Sequence, residues 1–152
     1  MQLTRAADYA IRVMVYLASL PDDSRVLLPS LAESTGAPAS FLSKILQALV
    51  RAGLIVSRRG KAGGFTILAC AREASMYDVV EAIDGPICLN LCLADGKSCE
   101  RAETCPAHPI WGQAQRAMLD VLRRASIADL AYTGMRITHR ETAPVGRLPM
   151  VP

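Results

Sequence analysis

The chain lacks a hydrophobic run able to span a bilayer. Its longest stretch free of Asp, Glu, Lys and Arg, Thr104 to Gln115, falls well short of the roughly 18 to 20 apolar residues that a transmembrane helix needs. The N-terminus has no basic-then-apolar signal layout either. Groups that build active sites are scarce: there are two histidines, no glycine-rich nucleotide loop and no Cys-x-x-Cys pair. No acid-base constellation is evident, and an enzyme is not expected. Internal repeats and low-complexity tracts are missing as well. With 152 residues, 51% of them hydrophobic, the chain is long enough for one buried core. These absences predict a cytosolic protein with no membrane partner.

What is present is unevenly placed. Residues 1–72 hold nine Lys/Arg against four Asp/Glu, a net +5, whereas residues 73–131 hold five against nine, a net −4. A basic front and an acidic middle fit a polyanion-binding head joined to a different module, because phosphate contacts supply most non-specific affinity. The five cysteines, Cys70, Cys88, Cys92, Cys99 and Cys105, are odd in number and in a reducing compartment read as ligands or free thiols.

Hydrophobic periodicity predicts a mainly α fold. Thr4 caps a first helix running to about Leu20, with Ala7, Ala10, Ile11, Met14, Leu17 and Leu20 recurring at three and four. A short helix over 28–35 follows, with Leu31 and Ala32 inward, then Gly36 as a left-handed C-cap. A third helix over about 38–52 turns Phe41, Leu42, Ile45, Leu46, Leu49 and Val50 inward. Two short strands, 54–56 and 65–68, flank the glycine-rich basic tip Arg58-Arg59-Gly60-Lys61-Ala62-Gly63-Gly64. Helix, turn, helix and basic hairpin in that order make a winged helix-turn-helix over 1–72. Its second helix would enter a major groove of double-stranded promoter DNA while the wing meets the backbone. Ser40, Ser43, Lys44 and Gln47 offer donors and acceptors to base edges or phosphates, and Arg58, Arg59 and Lys61 supply charge.

The second module, 73–131, opens with a helix over about 75–83 broken by Asp84-Gly85-Pro86. A long irregular segment over 87–108 then holds four of the five cysteines, and a loop of this length needs something to hold it. Cys92, Cys99 and Cys105 are spaced C-x6-C-x5-C, with His108 completing C-x2-H. Soft thiolates with an imidazole suit zinc or an iron-sulfur cluster; spacing alone does not choose, and three thiolates with one imidazole favour structural zinc if anything. Cys70 reads as a small buried hydrophobe and Cys88 as a spare thiol or alternative ligand. A last long helix from Pro109 to about Arg124 carries Ile110, Ala114, Ala117 and Val121, flanked by Trp111, Met118 and Leu122, a stripe wide enough to need a partner. One more turn at 126–130 and a poorly ordered tail over 132–152 close the chain.

From Met1 to about Leu130 the sequence resembles the Rrf2 family of bacterial regulators. The marks are Met1-Gln2-Leu3-Thr4 with Asp8-Tyr9-Ala10 and Arg12, the Phe41-Leu42-Ser43-Lys44-Ile45-Leu46 helix, and Gly53-Leu54-Ile55 before Arg59-Gly60-Lys61-Ala62-Gly63-Gly64, together with the three-cysteine loop and Trp111. The resemblance implies a homodimer paired through the long helix, a promoter DNA partner, and a [2Fe-2S] or [4Fe-4S] cluster on Cys92, Cys99 and Cys105. It therefore tips the choice of metal towards iron-sulfur. For the fourth ligand two patterns match. Cys105-Pro106-Ala107-His108 with Trp111 is similar to the IscR type, where this histidine completes a [2Fe-2S] site. Asp8 and Arg12 are similar to the NsrR type, where an aspartate from the partner's first helix completes a [4Fe-4S] site sensitive to nitric oxide. Asp8 and Arg12 equally read as a surface ion pair, and His108 as a cap of the long helix. Ser43 departs from the IscR pattern, in which an acidic residue stands there. The expectation is a repressor whose promoter affinity follows the state of the cluster, sensing iron-sulfur status, nitric oxide or redox stress. The alternative is a cluster-free or zinc-bearing thiol-redox regulator of the same fold.

Overall fold

A computed structural model describes residues 3–60, 63–94 and 99–141, of the last five of which only the backbone is described. Six helices and one hairpin follow the predicted order: α1 (Arg5–Ala18), α2 (Leu28–Thr35), α3 (Ala39–Arg51), β1 (Ile55–Arg58), β2 (Gly64–Ile67), α4 (Met76–Asp84), α5 (His108–Arg124) and α6 (Ile127–Glu141). The winged helix-turn-helix expected from the sequence is present, in a mainly helical molecule with a two-stranded antiparallel wing.

α1 starts where Thr4 places its hydroxyl to accept the Ala7 N–H, as its N-cap side chain predicts. It ends two residues short of the expected Leu20, because Arg72 reaches back to the Ala18 and Leu20 carbonyls and closes the terminus there. α2 stops at Gly36, whose φ of 67° is the left-handed C-cap that a side chain would strain. On α3 the buried stripe is narrower than expected. Leu42, Ile45, Leu46 and Leu49 are buried, while Phe41 stays 40% exposed with its ring edge-on to Tyr9 and Val50 is half-buried. Positions 42, 45, 46 and 49 already fill one helical face, and residues 41 and 50 flank it about a quarter of a turn from its centre.

The hairpin pairs Ile55 with Ile67 through Arg58 with Gly64, so the strands sit one or two residues from their predicted bounds. A third segment joins the sheet where Val26 and Phe65 exchange both backbone hydrogen bonds, at 3.0 and 2.9 Å. Gly64 permits this, since its φ is 136° and a Cβ there would lie 3.0 Å from the Val26 carbonyl oxygen.

Beyond the head, the Ser75 and Asp78 capping box starts α4. The turn between α5 and α6 is stitched to that same point, with the Met76 N–H donating to Ala125 and the Ile127 N–H to Ala74, both at 2.9 Å. α6 corrects the sequence reading. It continues through residues 132–141, where a flexible tail was expected to begin, because Ile127 and Ala131 bury one face against α1 and Ser126 caps the first turn through the Asp129 N–H. The prolines that suggested a tail, Pro144, Pro149 and Pro152, lie beyond it, outside the described residues.

α1 is the hub, packed on α2, α3, α4 and α6. The main core takes Met14, Leu17, Leu31, Leu42, Leu46 and Ile55 from the head together with Val79, Ile127 and Ala131, so it runs unbroken across residue 72. A second, smaller cluster joins Ala7 of α1, Val80 of α4, Ile87 of the cysteine loop and Leu119 of α5. That cluster is where the loop meets the head.

Candidate nucleic-acid interface and cysteine loop

On α3 the face opposite the core carries Ser40, Lys44, Gln47 and Arg51, all exposed, with Ser43 half-buried beside them. Their spacing of four, three and four lays them along one stripe. Ser43, Gln47 and Arg51 share a groove with Ser57, Arg59 and Phe65 of the wing. Arg58 and Arg59 are exposed, and Lys61 lies outside the described residues. Ser43, Gln47 and Arg59 of the predicted DNA-facing residues therefore share one groove, with Ser40 and Lys44 on the same outer stripe of α3, whereas Arg58 does not line it. Ser57 was missed, since nothing in local periodicity brings it to Gln47; the register that sets it opposite Phe65 does. Arg51 continues the outer stripe of α3 and joins the groove because the wing folds back beside it.

The cysteine loop leaves α4 at Gly85, buries Ile87, and makes a 3-10 turn over Leu91–Leu93. Cys88, Cys92, Cys99 and Cys105 are free, half-buried thiols; Cys70 is free and exposed. Cys70 therefore departs from the expected buried hydrophobe, because in its 3-10 turn, Ala69–Arg72, Ala71 takes the inward position. Two side chains of α5 hold the loop. Gln115 Oε1 accepts the Leu89 N–H at 2.8 Å, and His108 Nε2 stands 3.3 Å from the Cys92 carbonyl oxygen. His108 opens α5 itself, its N–H donating to the Cys105 carbonyl at 3.1 Å.

Of the four expected ligands, the structure thus brings His108 to the backbone of Cys92. Among the described residues no three His, Cys, Asp or Glu side chains converge as a metal site. The donor types suit a soft metal, and the loop carries them on one short stretch of chain. Asp8 forms its ion pair with Arg12 at 2.8 Å across one turn of α1. Arg12 also donates to the Thr35 carbonyl at 3.3 Å and lies over the Tyr9 ring.

α5 turns Leu119 inward, with Met118 and Leu122 packed against the same small cluster. Those two of the seven residues expected to pair subunits serve at least partly inside the chain. Ile110, Trp111, Ala114, Ala117 and Val121 are left exposed, Val121 at 69%. The C-terminal half of α5 is fastened to α4 where the Arg123 guanidinium lies 4.4 Å from the Tyr77 ring centre. The Tyr77 hydroxyl donates to Glu81 at 2.6 Å, and that bond, before partial burial, holds the phenol above its ordinary pKa.

No described helix is long and apolar enough to cross a membrane. The model of one family, the Rrf2 iron-dependent transcriptional regulators, matches residues 3–133. Protein aau3 of Rhizobium meliloti is 33% identical over 132 residues, covering 86% of this chain and 84% of that protein. Among solved structures, oxidized CymR of Staphylococcus aureus is 27% identical with a TM-score of 0.67, covering 86% of this chain and 96% of that one. IscR of T. potens shares the fold, with a TM-score of 0.68 at 20% identity over 96% of this chain and 94% of its own. The matching family is one of transcriptional regulators, not of enzymes. A match that spans the head, the cysteine loop, α5 and the start of α6 settles the kinship: this chain belongs to the Rrf2 family of transcriptional regulators.

Proposed function

We propose that the protein is a cytosolic homodimeric repressor that grips promoter DNA through α3 and the wing and carries an iron-sulfur cluster on Cys92, Cys99 and Cys105. His108 is the fourth ligand in this reading, giving a [2Fe-2S] site; the alternative is Asp8 supplied by the partner, giving a [4Fe-4S] site. The observation that carries the proposal is three free, half-buried thiols in one loop, set directly before a helix whose outer face is apolar and bare. The family's iron dependence supports it.

Ser40, Ser43, Lys44 and Gln47 read base edges and phosphates, and Arg58, Arg59 and Lys61 neutralise the backbone beside them. Ile110, Trp111, Ala114, Ala117 and Val121 bury against their counterparts in a second copy, setting the two recognition helices at a fixed spacing. When bound, an iron-sulfur cluster supplies a centre whose integrity responds to iron, nitric oxide and oxidants. The loop residues hold it and transmit its presence through Ile87 and the small cluster it shares with α1, α4 and α5. Two dimer states that differ in promoter affinity are thereby biased.

The test is protein purified without oxygen, assayed for iron and sulfide, then titrated by gel shift against its own upstream DNA in loaded and stripped forms. Stoichiometric iron and sulfide with a tenfold or larger difference in affinity is the expected result, a factor that corresponds to about 1.4 kcal/mol of coupling. Colourless protein without sulfide, or equal affinities, rejects it. His108→Ala and Asp8→Ala variants, followed by Mössbauer spectroscopy, assign the fourth ligand and cluster type. A second reading is a thiol-redox regulator without a cluster, or with zinc. It is favoured by the absence of three convergent donors among the described residues and by the relative solved in an oxidized form. Stoichiometric zinc, or peroxide-dependent DNA affinity in iron-free protein, would establish it.

A further inference from the structure

Gln115 has no place in the family resemblance, and its side chain bonds to the loop and not to the head. Its Oε1 accepts the Leu89 N–H at 2.8 Å. His108, seven residues earlier and so on the same face of α5, meets the Cys92 carbonyl at 3.3 Å. The segment between these anchors, Leu89 to Cys92, is short, and Cys88 immediately precedes it. One helical step from Gln115 lies Ala114, on the bare stripe of α5. A backbone N–H in a partly buried loop needs an acceptor, and this loop finds it on the helix that the proposed function assigns to subunit pairing.

We propose that Gln115 is a positioning residue that registers the cysteine loop against α5, so that the place of Cys92 and the pose of the long helix are set together. Gln115 makes no contact with metal or DNA in this role; it acts through the Leu89 amide. The consequence for promoter affinity rests on the cluster reading above, whereas the positioning itself does not.

The experiment compares the full-length protein with Gln115→Leu, which keeps the bulk and loses the acceptor, and with Gln115→Glu, which keeps an acceptor at the same reach. In iron-free protein the alkylation rate of each thiol by iodoacetamide is followed by peptide mass spectrometry. Gln115→Leu should raise the rates at Cys88 and Cys92 about fivefold, the factor that one hydrogen bond of ordinary net strength makes in a local opening equilibrium. Gln115→Glu should stay within about twofold of the parent, as one retained acceptor implies. Cys70, in a separate 3-10 turn, should react at the parental rate in both. Unchanged rates in Gln115→Leu overturn the proposal, as do equal rises in both variants or a parallel rise at Cys70, which would mean general loosening. In the iron-loaded protein, Gln115→Leu should shrink the ratio of loaded to stripped promoter affinity by a similar factor. A parent that carries no iron and sulfide defeats the cluster reading alone and leaves the alkylation result to decide the role of Gln115.

Discussion

At the scale of single residues, Arg72 ties the chain beyond the wing to the end of α1. Its guanidinium, 22% exposed, donates to the Ala18 carbonyl at 2.5 Å and the Leu20 carbonyl at 3.0 Å, and pairs with Asp22 at 3.0 Å. The three partners are not equal. Asp22 is 90% exposed, so water competes for it and the ion pair adds little. The two carbonyls close the end of the central helix, where a cation also meets the negative end of the helix dipole. Arg72→Ala is expected to destabilise the protein by about 2 kcal/mol, the range of hydrogen bonds from charged donors. Asp22→Ala should leave the denaturation midpoint nearly unchanged. Urea unfolding followed by circular dichroism checks both, and equal effects of the two substitutions would mean that the ion pair and not the cap is what stabilises. Sequence periodicity does not point to Arg72, because the two carbonyls it closes lie more than fifty positions away and belong to the backbone.

At the scale of elements, the junction of α1 with α4 joins the head to the cysteine loop. Asp84, the last residue of α4, accepts the Thr4 N–H at 3.2 Å and the Thr4 hydroxyl at 2.6 Å. Thr4 in turn caps α1, so one carboxylate ends the helix that enters the loop and steadies the start of the hub helix. Both groups are exposed, which keeps the effect modest. Asp84→Ala is expected to cost about 0.5 to 1 kcal/mol, in line with a helix N-cap interaction, and to raise amide exchange in the first turn of α1 before any other helix. Exchange that rises equally across α1 to α4 would instead mean that Asp84 supports the whole fold. The elements themselves were largely legible: the apolar spacing of α1, α3 and α5, Gly36 at a helix end and the basic glycine-rich hairpin each reflect local rules. α6 was not, because its helical face gains its stability from Ile127 and Ala131 packing on α1, a contact that composition does not reveal.

At the scale of the whole molecule, the proposed pairing of two copies rests on the bare stripe of α5. Val121, 69% exposed in the single chain, should become buried when two long helices pair. Val121→Glu then sets a charge into an apolar seam, where desolvation is unfavourable unless a partner charge compensates. The expected outcome is at least a tenfold weaker dimer by sedimentation velocity, with helix content retained and promoter binding reduced in step, as about 1.4 kcal/mol or more of lost interface energy implies. A variant that stays dimeric removes this face from the interface. The sequence by itself determined the kinds of element, the polar stripe of α3, the charge of the wing and the grouping of thiols, since all of these follow from side-chain type and short spacing along one chain. Only the tertiary structure decided which carbonyls Arg72 closes, that Ser57 shares a groove with Gln47, that Met118 and Leu122 pack inward while Val121 does not, and that Gln115 holds Leu89. Those depend on where distant segments meet, and that is set by how several apolar faces fill one core at once, a condition no local pattern contains.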